Sequence, residues 1–351
     1  MEFSEATSKI PEKVTDREGW ATDVLAALED QQLPADPETV CQVLAVIEQE
    51  SGFQADPAVA GLAKLLRTEL DKKVEKLGPL GQPALHELLS GHAPGAKQTF
   101  EARLTKVKTE RDLDLLFRDI LNFYEEKFPA PYKALDLFGA LFDASPEDFN
   151  PVTTVGSMQV SVRFSEQLAK DRKRDPSAVR DQLYTRAGGV SYGTARLLGY
   201  QAAYSQPLYR FADYNAGVYT SRNAAVQEQV SKLTELPLLL DGDLLAYDKS
   251  QKPLNKDTKS LEAILTFRDK FAPELSDGRV RRDVRDEKTA DFEATETYRA
   301  IKRVWAQRMK SDPPYARIPE VTITSPKMSQ DRSTAWFAKS VDARYRRCLE
   351  R

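Results

Sequence analysis

Glu50 is the acidic residue whose surroundings best suit chemistry. It ends an apolar helical stretch, Ile47-Glu48-Gln49-Glu50-Ser51, and a glycine follows. A carboxyl group at the edge of an apolar face is partly desolvated, which raises its pKa and keeps it protonated for donation to a glycosidic oxygen. Glu48 points to another part of the helix surface. A glutamate at a helix end is more often simply solvated, so a catalytic role for Glu50 needs the support of further motifs.

A second motif, Gly156-Ser157-Met158-Gln159, supplies recognition groups without an acid or base. We interpret Gly156 as allowing close approach of a ligand to the backbone. Met158 would contact a sugar ring, and Gln159 would hydrogen-bond sugar amides or hydroxyls. The alternative is a glycine turn that leads into a helix, with Met158 filling the core.

The third motif is Asp213-Tyr214-Asn215-Ala216-Gly217. Tyr214 and Asn215 form an aromatic and amide pair suited to holding a sugar and orienting a carboxyl group. We expect Ser51 and Tyr214 to orient Glu50 by hydrogen bonding, and Asn215 to bind sugar. The alternative is that the motif only caps a helix before its glycine.

Helices are predicted throughout the chain, so the predicted fold class is mainly α. Asp36-Pro37-Glu38 combines an N-cap, a proline at the first helical position and an acid in the first turn. Apolar residues then recur at helical spacing, which predicts a helix from Pro37 to Glu50. Further helices are predicted at 59–77, 113–126, 132–142, 160–170, 177–186, 192–200, 208–233, 261–271, 290–310 and 334–349.

Composition argues against several classes of site. With 51 basic and 54 acidic residues the net charge is -3, which gives no general field for nucleic acid, and no nucleic-acid partner is expected. His86 and His92 are the only histidines and lie in a Gly/Pro-containing stretch. Neither a His-dependent nucleophile nor a His-based zinc site is therefore expected. We expect no metal and no cofactor.

Two cysteines, Cys41 and Cys348, lie near opposite ends of the chain. In an oxidising compartment they could staple the C-terminal tail to the body, and in a reducing one they would be a buried residue and a free thiol. Both alternatives remain open. No stretch of about 18 apolar residues is present. The polar start looks like one that follows a removed targeting segment, so residence in the cytoplasm is not predicted.

The three ordered motifs resemble those of the lytic transglycosylases in the lysozyme superfamily. That family has a Glu-Ser pair closing a helix, then Gly-Leu-Met-Gln, then Ala-Tyr-Asn-Ala-Gly. This chain has Glu50-Ser51, Gly156-Ser157-Met158-Gln159 and Asp213-Tyr214-Asn215-Ala216-Gly217. Tyr192-Gly193-Thr194-Ala195-Arg196-Leu197-Leu198 resembles the family's Leu-Gly-x-x-Tyr-Leu helix. The departures are Ser157 for leucine, Asp213 for alanine, Val218-Tyr219 where Pro-Gly often follows, and a long segment between the first two motifs.

The resemblance implies a lysozyme-like helical core with a long helical insertion and a C-terminal extension. The expected core comprises 36–77 and 150–235, after an N-terminal segment at 1–35. Residues 78–149 would form the inserted helical subdomain. Residues 236–351 would form a helical and loop-rich extension.

The resemblance also implies cleavage of peptidoglycan between N-acetylmuramic acid and N-acetylglucosamine. Glu50 would act first as acid and then as base on the muramyl 6-hydroxyl, giving a 1,6-anhydromuramyl end without a cofactor. One alternative is a muramidase-type hydrolase on the same site, with Asp213 as second carboxylate. Another is a non-catalytic envelope scaffold that binds peptidoglycan and partner proteins that the sequence does not identify. A helical adaptor unrelated to the cell wall would require three ordered motifs to coincide by chance.

The whole chain also resembles a group of bacterial lipoproteins that carry these motifs with a long insertion. That resemblance implies export to the periplasm. It also implies an outer-membrane lipid anchor on a cysteine that is not among these residues.

Overall fold

The computed structural model describes residues 1–76, 78–127, 150, 152–248, 251–323 and 332–351. Helices dominate these residues, which confirms the mainly α class. In chain order they are α1 (Phe3–Ser8), α2 (Arg17–Asp30), α3 (Pro37–Glu50), α4 (Leu62–Lys76), α5 (Gly81–Ser90), α6 (Phe100–Leu104), α7 (Glu110–Lys127), α8 (Val162–Asp171), α9 (Val179–Leu183), α10 (Arg186–Leu198), α11 (Pro207–Ala216), α12 (Thr220–Thr234), α13 (Lys259–Phe271), α14 (Asp277–Val284), α15 (Glu296–Met309) and α16 (Thr334–Glu350).

Within the described ranges, two short antiparallel pairs of strands accompany the helices. The strand β1 (Thr154–Val155) pairs with β2 (Val160–Ser161), and β3 (Thr322–Ile323) pairs with β4 (Arg332–Ser333). The first pair encloses the Gly156 to Gln159 motif, which therefore forms the turn of a hairpin.

The helix α3 begins and ends where its sequence predicts. The Asp36 carboxylate accepts a hydrogen bond from the Thr39 backbone N–H over 2.7 Å, and Pro37 occupies the first turn. Its apolar face is buried, and Gly52 follows with φ +58°. The cap, the apolar spacing and the glycine are all local signals, and together they fix Glu50 at the end of the helix.

Other boundaries differ from the predictions. The predicted helix 208–233 is two helices, because Gly217 at φ +135° and Tyr219 at φ 65° interrupt it. The helices α2 and α5 were not predicted. The prediction for 132–142 lies outside the described residues.

The larger hydrophobic core joins both ends of the chain. It contains apolar residues of α1 to α11, the β1–β2 hairpin and α16. The last helix packs against α3 and α11, while α10 packs against α2 and α3. The helix that carries Glu50 is therefore covered by the C-terminal helix.

A second hydrophobic core is formed by α12 to α15 and the loop before α13. Arg222, at the start of α12, is completely buried and donates to the carbonyl oxygens of Glu287 and Thr289 at 2.5 and 2.9 Å. The helix α16 packs in the first core and not in this second one, although the sequence placed it in the extension at 236–351.

Within the described part of the chain, no helix combines the length and apolar character needed to cross a membrane.

Candidate active site

The Glu50 carboxyl group is densely surrounded but reachable. Its side chain is partly exposed, its oxygens accept no hydrogen bond from the described residues, and neither oxygen is sealed from solvent. The pKa of Glu50 is raised to about 7, chiefly by burial and then by the nearby Glu110 carboxylate, while the Arg344 guanidinium opposes both. A substantial fraction of Glu50 is therefore protonated at neutral pH, as a general acid requires.

Ser51 stabilises the end of α3 instead of orienting Glu50. Its buried hydroxyl donates to the Ile47 carbonyl oxygen over 3.1 Å and accepts from the Gln54 backbone N–H over 3.3 Å. Because the single hydroxyl proton is used for the helix carbonyl, the predicted hydrogen bond from Ser51 to Glu50 is not formed.

Tyr214 lies beside Glu50 but its hydroxyl bonds elsewhere. It donates to the Met158 carbonyl oxygen over 2.7 Å. Burial raises the pKa of Tyr214, and the neighbouring Glu50 carboxylate raises it further. The predicted proximity of the two side chains is therefore present, while the predicted hydrogen bond from Tyr214 to Glu50 is not.

Gly156 and Met158 serve packing, which corrects their interpretation as ligand contacts. Gly156 has φ +83°, and a Cβ there would lie 2.2 Å from the Leu183 carbonyl oxygen. The Met158 side chain is completely buried, and a Cβ at Gly193 would lie 2.2 Å from its Sδ. The chain itself fills the space that a ligand was expected to use, as the core alternative for Met158 anticipated.

Gln159 is held by a second carboxylate that the sequence did not reveal. Its Nε2 donates to Glu110 Oε2 over 2.9 Å and to the Gly156 carbonyl oxygen over 3.3 Å. Its Oε1 accepts from the Thr154 hydroxyl over 3.3 Å. Glu110 is the first residue of α7 and only 5% exposed. An acid at a helix start is common, so no local signal distinguished Glu110.

Asp213 is a buried structural carboxylate, which corrects its candidacy as the second catalytic one. It is 0% exposed. Its oxygens accept hydrogen bonds from the hydroxyls of Tyr200, Tyr204 and Thr220 and from the backbone N–H groups of Tyr219 and Ser221. Burial raises its pKa, and these bonds oppose the rise. Asp213 therefore ties α11 to the start of α12 and is closed to substrate.

The C-terminal helix α16 contributes hydrogen bonds and a positive charge around Glu50. Thr334 donates its hydroxyl to Asn215 Oδ1 over 2.9 Å, and Ser340 donates to Gln49 Oε1 over 2.9 Å. The side-chain oxygen of Asn215, Oδ1, therefore accepts a hydrogen bond from Thr334, while its Nδ2 makes no hydrogen bond to the described residues. Arg344 of the same helix adds the positive charge near Glu50. We call Glu50, Glu110, Gln159, Tyr214 and Arg344 the Glu50 site.

A disulfide joins Cys41 of α3 to Cys348 of α16. The two cysteines are 307 residues apart in sequence and both are buried. The bond fastens the C-terminal helix to the helix that carries Glu50.

Among the residues that the structure describes, no three His, Cys, Asp or Glu side chains are grouped so that they could hold a metal ion. Two surface cavities of about 770 and 610 Å³ lie elsewhere, the first lined by residues that include Tyr200, Arg210 and Glu293, and the second by residues that include Tyr247 and Lys288.

The fold and site define a mainly α protein with a partly buried, raised-pKa glutamate that lies near a tyrosine and a second carboxylate. Residues 13–351 match the family described as "Protein of unknown function (DUF1615)", and the chain belongs to that family. It is 39% identical over 346 residues to "Uncharacterized protein YaiW" of Escherichia coli (strain K12). The match covers 97% of this chain and 88% of that protein. No solved structure is significantly similar to the chain.

Proposed function

We propose that the protein is a lytic transglycosylase that cleaves peptidoglycan glycan strands at the Glu50 site of a lysozyme-like helical core. The observation that carries this proposal is the state of Glu50. Its carboxyl group has a pKa near 7, no hydrogen-bonding partner among the described residues and access to solvent. Such a group can donate and later accept a proton at neutral pH.

In the first step the protonated Glu50 donates its proton to the oxygen that links N-acetylmuramic acid to N-acetylglucosamine. The bond from muramyl C1 to that oxygen breaks. The Glu50 carboxylate then removes the proton of the muramyl 6-hydroxyl, and the 6-oxygen forms a bond to C1. Glu50 ends protonated as it began, and the substrate supplies its own nucleophile from a bound position.

Gln159 and Asn215 supply amide groups for holding the sugars. The Nε2 of Gln159 is used by Glu110 and Gly156, while its Oε1 accepts from Thr154 and keeps a second lone pair for a sugar hydroxyl, in an orientation set before substrate arrives. Asn215 retains its Nδ2 for donation to a sugar oxygen, since only its Oδ1 is occupied by Thr334.

Hydrolysis at the same site is the second candidate, and Glu110 is the observation that favours it. Asp213 is closed to substrate, but Glu110 lies close enough to Glu50 to raise its pKa. A carboxylate in that position could activate water, as the second acid of a glycosidase does. The hydrolytic product differs from the anhydro product by one added water.

Digestion of purified sacculi followed by mass analysis tests the proposal. The wild-type chain should release 1,6-anhydromuramyl products, and Glu50→Gln should release none. Glu48→Gln is the matched control, because Glu48 lies on the same helix and only approaches Arg347 and Arg351, at 3.9 and 3.7 Å. Reducing muramyl ends that disappear in Glu110→Gln would establish hydrolysis instead. Binding to sacculi without any release would favour the scaffold.

A periplasmic location, with a lipid anchor at the outer membrane, accompanies this proposal. The Cys41–Cys348 disulfide supports it, because disulfides persist in oxidising compartments. Peptidoglycan strands would then be within reach of the site.

A further inference from the structure

Arg196 of α10 carries a positive charge that has no hydrogen-bonding or ion-pairing partner among the described residues. Its guanidinium makes no hydrogen bond and no ion pair to the described residues, and none of its nitrogens is sealed from solvent. Its Cζ lies 5.4 Å from the centroid of the Phe164 ring. This contact positions the guanidinium from one side and leaves its N–H donors unused.

The position of Arg196 on α10 places it next to the Glu50 site. Gly193, three residues earlier, packs directly on the Met158 side chain. Residues three apart share one face of a helix, so Arg196 emerges on the face that contacts the β1–β2 hairpin. The Met158 carbonyl oxygen on that hairpin accepts the hydroxyl of Tyr214. Tyr214 therefore lies within electrostatic reach of both Glu50 and Arg196.

The charge of Arg196 is maintained at an energetic cost. Burial lowers the pKa of Arg196, and the polar groups around it, Tyr214, Tyr200 and Asp213, oppose that effect without bonding to it. An anion at the guanidinium would offset this cost and use the free N–H donors. In the Leu-Gly-x-x-Tyr-Leu helix that this segment resembles, Arg196 stands at the tyrosine. This chain thus places a cation where that pattern has a phenol.

We propose that Arg196 forms a carboxylate subsite of the Glu50 site. The carboxylate belongs to the muramyl residue of the substrate, either as the lactyl group of a peptide-free strand or as a carboxylate of its stem peptide. The inference rests on the proposed function for the identity of the substrate. It adds that the site selects muramyl residues by charge, which N-acetylglucosamine alone cannot supply. Arg196 is a specificity residue and takes no part in proton transfer.

Binding measured in the Glu50→Gln chain, which holds ligand without cleaving it, tests this subsite. The probes are chitotetraose, the peptide-free tetrasaccharide of alternating N-acetylglucosamine and N-acetylmuramic acid, and the same tetrasaccharide with stem peptides. We expect a muramyl probe to bind roughly tenfold or more tightly than chitotetraose, as a charge-assisted hydrogen bond implies. Adding Arg196→Gln should abolish the difference, and Arg196→Lys should retain part of it.

The pattern across the probes decides the source of the carboxylate. Preference for the peptide-free probe identifies the lactyl group, and preference for the peptide-bearing probe identifies the stem peptide. Arg282→Gln is the matched control, because Arg282 is exposed on α14 in the second core. Equal loss of affinity for all three probes in Arg196→Gln, no change in any of them, or no binding by the parent chain would overturn the proposal. Sacculus cleavage is scored separately, so charge selection without cleavage refutes the lyase function and retains the subsite.

Discussion

The hydroxyl of Tyr214 donates to the main-chain carbonyl oxygen of Met158 over 2.7 Å, across 56 residues of sequence. This bond joins α11 to the turn of the β1–β2 hairpin. Two of the three sequence motifs are thereby fixed to each other, and the side chain that makes the bond also lies beside Glu50. The motifs act as one structural unit whose parts depend on one another.

Removing the Tyr214 hydroxyl should weaken this unit. Tyr214→Phe leaves the buried Met158 carbonyl oxygen without its donor, which costs roughly 1–3 kcal/mol of unfolding free energy. Urea denaturation measures the loss, and sacculus cleavage should fall with it. Tyr209→Phe on the same helix is the control, because its hydroxyl makes no hydrogen bond to the described residues. Equal stability of the two variants would contradict the role assigned to the bond.

The pH dependence of cleavage should report the protonation of Glu50. Its raised pKa, about 7, places the acid form at and below neutral pH. The value of kcat/KM should therefore fall as pH rises through 7, approaching about tenfold per pH unit above it. Rates measured on soluble glycan strands from pH 5 to pH 9 provide the test. A decline already complete near pH 5 would show that Glu50 has an ordinary pKa.

The stability of the folded chain should depend on the same group. Because the folded state holds the Glu50 proton more tightly than the unfolded state, stability is lost as pH rises from 4.5 to about 7. Glu50→Gln removes this loss. It should raise the unfolding free energy by roughly 1–3 kcal/mol at pH 8 and leave it unchanged at pH 4. Denaturation of wild type, Glu50→Gln and Glu48→Gln at both pH values distinguishes this effect from a general change of charge.

Gly156 should not tolerate a side chain. An alanine Cβ would lie 2.2 Å from the Leu183 carbonyl oxygen, at a residue with φ +83°. Gly156→Ala should cost roughly 2–4 kcal/mol, because the hairpin must move away from α9. Gly95 has φ +74° with open space around it, so Gly95→Ala carries the backbone cost alone, roughly 1 kcal/mol. The difference between the two losses measures the close approach itself.

Reduction of the Cys41–Cys348 bond should loosen α16 from α3. Removing a native disulfide costs roughly 2–5 kcal/mol, and this one closes a loop of 307 residues. Thermal unfolding of the Cys41→Ser, Cys348→Ser double variant should show a lower Tm, which a reductant should not lower further. A reductant-sensitive Tm in the double variant would mean that the effect does not come from this bond.

Local signals in the sequence were sufficient to place the helix of Glu50. The Asp36 cap, Pro37 and the apolar spacing act within a few residues, so the predicted helix Pro37 to Glu50 coincides with α3. The same holds for the mainly α class. The motifs did not predict which way each side chain points. In particular, they did not indicate that the Met158 side chain lies in the core while its carbonyl oxygen accepts from Tyr214.

The long-range parts of the site could not be predicted. Glu110 comes from the stretch assigned to the insertion, and Arg344 comes from the last helix, so each reaches Glu50 only through tertiary packing. Nothing in their local sequence differs from that of an ordinary helix-surface residue. Asp213 was misjudged for a related reason. Its five hydrogen-bond donors lie on separate turns and helices, so the motif sequence alone could not predict that they bury the Asp213 carboxylate.

The packing of α16 against α3 and α11 has a consequence for biosynthesis. A ribosome makes the Glu50 helix before α16, so the apolar contacts between them cannot form until α16 has emerged. A nascent chain that has not reached α16 lacks this contact surface and the cysteine at position 348. Assembly of the site therefore waits for the synthesis of a helix that lies far along the sequence.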